Sequence, residues 1–253
     1  MSDTEIQGRK IFFLHPSAVV MNRVIEELAQ QEFEVYIAKD HHKIKRVLQK
    51  FPDSIVFIDI NEGGVTEAEW ENWVRTISGA LPDVAIGVIS GIKKEDIIKK
   101  YVDVLKVKCG YTVLKSDLNQ SIIQILDHLK NVDAKGRRKY IRAVIESPAV
   151  AMINFNHNSN YINGNIKDIS VVGISCAFNQ DPNLAKNTLF KDIQIKLQTT
   201  IIKVEAIVFG SRLEGKLKTY VFLFTKRVDP DVRSKIRKYI QQTLQSKLDP
   251  LLK

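Results

Sequence analysis

Apolar residues recur with two different periods along this chain. Over the first half, short apolar runs alternate with stretches whose apolar positions lie three or four apart. "KIFFLH", "FEVYIA", "SIVFIDI", "DVAIGVIS" and "YTVLK" read as strands. Between them, Val24, Ile25 and Leu28, and then Ile44, Val47, Leu48 and Phe51, fall on one side of a helix. "EAEWENWVRTI", "KKEDIIKKYVDVL" and "SDLNQSIIQILDHLK" continue the alternation, the last opened by Ser116 or Asp117 as N-cap. Five βα units with strands buried on both faces predict an α/β doubly wound parallel five-stranded sheet over residues 1–130.

From residue 131 to 253 the period shortens. "RAVIES", "VAMINFN", "YINGNIKDIS", "GISCAF", "DIQIKLQ", "TIIKVEAIVFGSRLEG" and "LKTYVFLFT" follow one another. Asn163-Gly164, Asp181-Pro182 and Glu214-Gly215 read as the turns between them. This pattern predicts an antiparallel barrel or sandwich. Asp229-Pro230-Asp231 supplies an N-cap, a proline at the first helical position and an acid in the first turn. The closing helix then carries Ile236, Ile240, Leu244 and Leu248 as one apolar stripe.

Charge sharpens the division. Residues 1–130 hold 17 Lys/Arg against 19 Asp/Glu and the remainder 21 against 10, so a net −2 is followed by +11 within the total of +9. A basic second half points to a polyanionic partner such as nucleic acid, a nucleotide or anionic lipid. The two cysteines, Cys109 and Cys176, have no partner at metal-ligand spacing and read as buried thiols in a reducing compartment. The polar start MSDTEIQGRK argues against a signal peptide, and no apolar run reaches the roughly 18–20 residues of a spanning helix. The expectation is a cytoplasmic chain without membrane insertion.

The first half carries Asp59 at the end of its third strand, Ser90 at the end of the fourth and Lys115 after the fifth. On these residues, and on the order of its βα units, it resembles the receiver domain of two-component response regulators. The resemblance implies a phosphate-accepting role for Asp59, with Ser90 and Lys115 as supporting groups. Receivers end the first strand with a pair of acids that hold Mg²⁺, whereas this chain has His15 and Pro16 there. Without those hard oxygen ligands the cation cannot neutralise the charge of a phosphoryl transfer, so a degenerate, receiver-like domain is expected. His41 and His42 have no cysteine or carboxylate at zinc spacing. Trp70 and Trp73 on one helix fit either a core or an interface with a protein partner or a second copy.

At the joint, "KGRRKYIRA" puts five cations into residues 135–142. The planar forks of Arg137, Arg138 and Arg142 suit phosphate oxygens and purine edges better than lysines would. About 25 residues on, "KDISVVGIS" sets Asp168 and Ser170 two apart on a strand, facing one side, with Gly173 three further. A carboxylate can accept from guanine N1–H and N2–H₂, and a glycine allows a bend or close backbone approach. Arg-x-x-x-Arg (Arg138, Arg142) followed by Asp-x-Ser-x-x-Gly (Asp168, Ser170, Gly173) resembles the signature of the PilZ domain, the bacterial receptor for cyclic di-GMP. The resemblance takes in roughly residues 134–250. It implies a six-stranded antiparallel barrel with a C-terminal helix, binding cyclic di-GMP through Arg137, Arg138, Arg142, Asp168, Ser170 and Gly173.

No Ser-His-Asp or Cys-His arrangement, Walker loop or metal cluster stands out, so no catalysis, metal or catalytic cofactor is expected. The expected function is a signal-transduction receptor in which the dinucleotide orders the arginine segment, resets the domain arrangement and changes a partner interaction. The other readings are a phosphorylatable response regulator and a basic interaction module or scaffold that ignores the dinucleotide. A nucleic-acid partner is disfavoured because the barrel sequence shows no strand-borne stripe of alternating aromatic and basic residues.

Overall fold

The structure is a computed structural model in which residues 7–147, 150–214 and 217–252 are described. It divides into two compact units, Met1–Lys139 with Gln245–Lys253, and Tyr140–Leu244.

In the first unit β1 (Ile11–Leu14), β2 (Val35–Ala38), β3 (Ile55–Asp59), β4 (Ala85–Ser90) and β5 (Tyr111–Val113) form one parallel sheet in the order 2-1-3-4-5. This is the flavodoxin-like doubly wound order, in which the chain reverses direction beside β1 and β3. The central strands β1, β3 and β4 are buried along their whole length, as their uninterrupted apolar sequences require. The helices between them are α1 (a π-helical turn Val20–Ile25 running into Glu26–Gln30), α2 (Ile44–Lys50), α3 (Glu67–Ala80), α4 (Glu95–Lys99, continued by π-helical Lys100–Val104) and α5 (Leu118–Asn131). Asp117 is the N-cap of α5, its side chain accepting from the Asn119 N–H. Trp70 and Trp73 of α3 are both buried, so their helix face belongs to the core and offers no docking surface.

Two polar devices hold the margins of this sheet. The Arg9 guanidinium donates to the carbonyls of Asp53, Val132, Ser54 and Asp83, joining the approaches to β3 and β4 to the end of α5. The Gln245 side-chain amide accepts from Ile37 N–H at 2.9 Å and donates to Ile37 C=O at 3.0 Å. It thereby covers part of the open edge of β2.

The second unit is a closed six-stranded antiparallel barrel followed by a long helix, α6 (Pro230–Leu248), which belongs to it up to Leu244. Its staves are β7 (Ala151–His157), β8 (Asn160–Ser170), β9 (Gly173–Phe178), β10 (Leu189–Leu197), β11 (Thr200–Glu214) and β12 (Leu217–Phe224), and the β8–β9 pairing closes the ring. A two-residue strand, β6 (Ala143–Val144), adds to β8 from outside the ring. Asp229 caps α6, accepting from Asp231 N–H at 2.7 Å, and Ile236, Tyr239 and Ile240 enter the barrel core.

Asn163-Gly164 does not turn the chain. Both residues lie inside β8, paired with β7 and, at Gly164, with Phe178 of β9. The turn is instead at Asn158 and Ser159, whose φ angles of 51° and 63° suit a two-residue hairpin. Gly164 has a packing reason: a Cβ there would lie 2.5 Å from the Phe178 ring. The Glu214-Gly215 turn falls partly outside the described residues.

Candidate functional site

The second unit brings Arg142, Asp168, Ser170 and Gly173 into one corner of the barrel. β6 positions Arg142 just ahead of its first residue and pairs Val144 with Asp168. A bulge in β8 then decides which way Asp168 points. The register shifts between Ile166 and Asp168, so Lys167 is an extra residue against β9. Before it Gly164 and Ile166 are buried, and after it Ile169 and Val171 are, which moves the inward series from even to odd numbers. Asp168 is thereby spared the core, keeps 20% side-chain exposure, and stands 3.9 Å from the Arg142 guanidinium, itself 49% exposed. The Ser175 hydroxyl donates to the other carboxylate oxygen, which fixes the carboxylate plane.

Ser170 and Gly173 face a different task. Ser170 is 4% exposed. Its hydroxyl donates to Gly173 C=O at 3.2 Å and accepts from Val172 N–H at 3.4 Å, so it tightens the β8–β9 hairpin. At Gly173 a Cβ would lie 2.3 Å from the Phe222 carbonyl oxygen. Glycine is required there by the backbone of β12, its partner strand. Arg137 and Arg138 are exposed and belong to the first unit, at the end of the segment that runs into Arg142.

Ser175 is a polar partner that sequence reasoning passed over. It is a buried hydroxyl in the apolar run "GISCAF", and its place opposite Asp168 was the only available signal. Asp181, a turn residue by sequence, is also an anchor. It accepts from the Tyr220 hydroxyl, from Asn183 N–H and from Lys218 Nζ at 3.0 Å, and these bonds hold its carboxyl down to about 2.

In the first unit Asp59 is buried at the end of β3 and accepts from the backbone N–H groups of Ser17 and Asn61. Burial raises its pKa despite those bonds. Ser90 donates to Asn61 Oδ1 at 2.8 Å, and Lys115 Nζ donates to Gln120 at 3.1 Å. His15, where receivers hold metal-binding acids, sits at φ 51° with its ring packed near Trp70 and His41. Among the described residues no group of three or more His, Cys, Asp or Glu is placed to hold a metal ion. No helix among them is long and apolar enough to cross a membrane.

The PilZ domain family model matches residues 136–242. Solved structures similar to this chain include the PilZ domain of YcgR from Escherichia coli with c-di-GMP, at 15% identity and a TM-score of 0.39, over 45% of this chain and 96% of that one. The K. pneumonia MrkH–c-di-GMP complex matches at 20% identity and 0.40, over 46% and 57%. The Bacillus subtilis inhibitor of motility MotI/DgrA matches at 18% identity and 0.37, over 45% and 52%. The chain thus spans little more than half the length of MrkH and MotI/DgrA. No curated protein matches it. The residues that the PilZ model matches, 136–242, follow a parallel five-stranded sheet in the chain.

Proposed function

We propose that this chain is a receptor for cyclic di-GMP, bound by Arg137, Arg138, Arg142 and Asp168, with Ser170 and Gly173 shaping the hairpin that carries Asp168. The observation that carries the reading is the Arg142–Asp168 pair. A guanidinium and a carboxylate lie 3.9 Å apart, too far for a tight ion pair, and the guanidinium is half exposed. Such a pair is open to an incoming guanine and phosphate: the arginine turns to the anion and the carboxylate accepts from N1–H and N2–H₂. The family match over residues 136–242 supports the same ligand class.

Binding orders the segment from Arg137 to Arg142, within which one unit ends and the next begins. The ordering cost is offset by charge-assisted contacts to phosphate, and the ligand thereby couples to domain arrangement and to a protein partner or second copy of the chain.

Isothermal calorimetry on the full chain tests the ligand. Arg138→Ala and Arg142→Ala should each weaken binding roughly tenfold to a hundredfold, the loss of one charged hydrogen bond of about 1.5–3 kcal/mol, while Lys247→Ala should not. Absence of heat and of competition at high ligand concentration would overturn the proposal. Limited proteolysis tests the coupling: cleavage within residues 136–142 should slow at saturation, and an unchanged rate would remove it.

A further inference from the structure

The lysines at 186, 191, 196 and 203 have no part in the dinucleotide reading, and all four are exposed. They share the outer wall of the barrel with apolar side chains that the fold leaves in solvent. Leu189 of β10, Ile207 of β11 and Leu223 of β12 are opposed in register across three neighbouring strands, and all are exposed. Beside them Phe209 occupies the bulge between Val208 and Gly210 and is 57% exposed. Phe209 stands outside by the alternation of β11, whose even-numbered Ile202, Val204, Ala206 and Val208 face the core. Lys186 Nζ sits 5.7 Å from the centroid of that ring. Farther along the wall Lys196 opposes the exposed Ile201, and Lys203 opposes Gln194. Of the acidic groups on these strands, Glu205 has Arg227 at 4.0 Å and Asp192 is exposed next to Lys191.

We infer that this wall is a docking surface for an anionic lipid bilayer, used peripherally and without insertion of a helix. Aliphatic tips and one aromatic enter the headgroup layer, while lysines flanking them lie along the apolar surface and put their ammonium groups at lipid phosphates. Charge selects this occupant over the others. A second copy applied face to face would oppose lysine with lysine. Single-stranded nucleic acid needs a series of stacking aromatics, and the patch offers one. Only a surface both apolar at depth and negative at its rim satisfies both halves of the pattern.

Flotation of the full chain with vesicles tests the inference apart from the dinucleotide. The chain should float with phosphatidylcholine vesicles containing about 30% phosphatidylglycerol and stay behind with phosphatidylcholine alone. Ile207→Asp and Phe209→Asp should each reduce partitioning about tenfold. Lys196→Ala and Lys203→Ala should cost about fivefold each, and Lys108→Ala in the first unit nothing. Because all four positions are exposed, circular dichroism should match the parent chain. No flotation with anionic vesicles overturns the proposal. So does flotation that survives Ile207→Asp combined with Phe209→Asp, or retention of the chain by a single-stranded oligonucleotide but not by vesicles.

Discussion

A methyl group added at Gly173 would lie 2.3 Å from the Phe222 carbonyl oxygen, whereas one added at Gly164 meets the Phe178 ring first, at 2.5 Å, and the Ala177 carbonyl only at 3.0 Å. The Phe222 carbonyl belongs to the backbone of β12 and cannot turn aside, while a ring can tilt. Gly173→Ala should therefore destabilise the barrel by about 3 kcal/mol and Gly164→Ala by about 1–2 kcal/mol, read as urea midpoints. Equal losses would refute this ordering. The same two residues mark the reach of sequence reading. Asn163-Gly164 carries a hairpin signature, yet the aromatic across the strand, invisible in local sequence, claims the glycine for packing. Asp168 and Arg142 were legible because a spaced motif names them. Ser175 was not, since a serine in an apolar run gives no sign of the carboxylate facing it. Acid also acts residue by residue. Burial lowers His15, with His41 adding to the effect; burial likewise lowers His41, beside His42, and His128. As pH falls through about 6.5 the unfolded chain takes up protons that the folded one refuses, so stability present above that pH is lost below it. Asp59, raised by burial, works oppositely: its contribution is present at low pH and fades as pH climbs from about 4. The urea midpoint should drop between pH 7.5 and 5.5, and His15→Gln should shrink the drop; an unaltered drop in that variant would exclude His15 as a source.

At the scale of elements, Arg9 is the clasp of the parallel sheet. One side chain satisfies four carbonyls from three parts of the chain, and removing it strands them near the sheet margin. Arg9→Ala should cost about 3 kcal/mol, and Arg9→Lys should recover less than half, because an ammonium cannot span the fork. Recovery by lysine to parent stability would show that charge alone matters. The helix α3 begins at Thr66 in a capping box with Glu69, so Thr66→Ala should lower the midpoint by about 1 kcal/mol. The five parallel strands and the barrel staves were readable from apolar period alone. The π-helical turns in α1 and α4 and the bulges in β8, β10 and β11 were not, because each adds one residue without changing residue type.

For the whole molecule, residues 1–130 and 131–253 differ in net charge, −2 against +11, and in periodicity, and those contrasts made the α/β and barrel architecture legible. The proposed ligand rests on six positions and their spacing. Its thiols are a check on how closed both units are. Cys109 and Cys176 are free and buried, and burial raises both, Cys109 to about 12 although Arg9 opposes the rise. A thiol reagent at neutral pH should label neither in the native chain and both after denaturation; prompt native labelling of either would reveal an opening. Lys167 has a wider consequence. Were the same residues laid in regular register, with Lys167 paired rather than bulged, Asp168 would join the inward series led by Gly164 and Ile166. The carboxylate would then be counted into the core, and the site would vanish from the surface with every motif residue still in place. For proteins built on such a stave, the register of residues between landmarks constrains function as tightly as their identity.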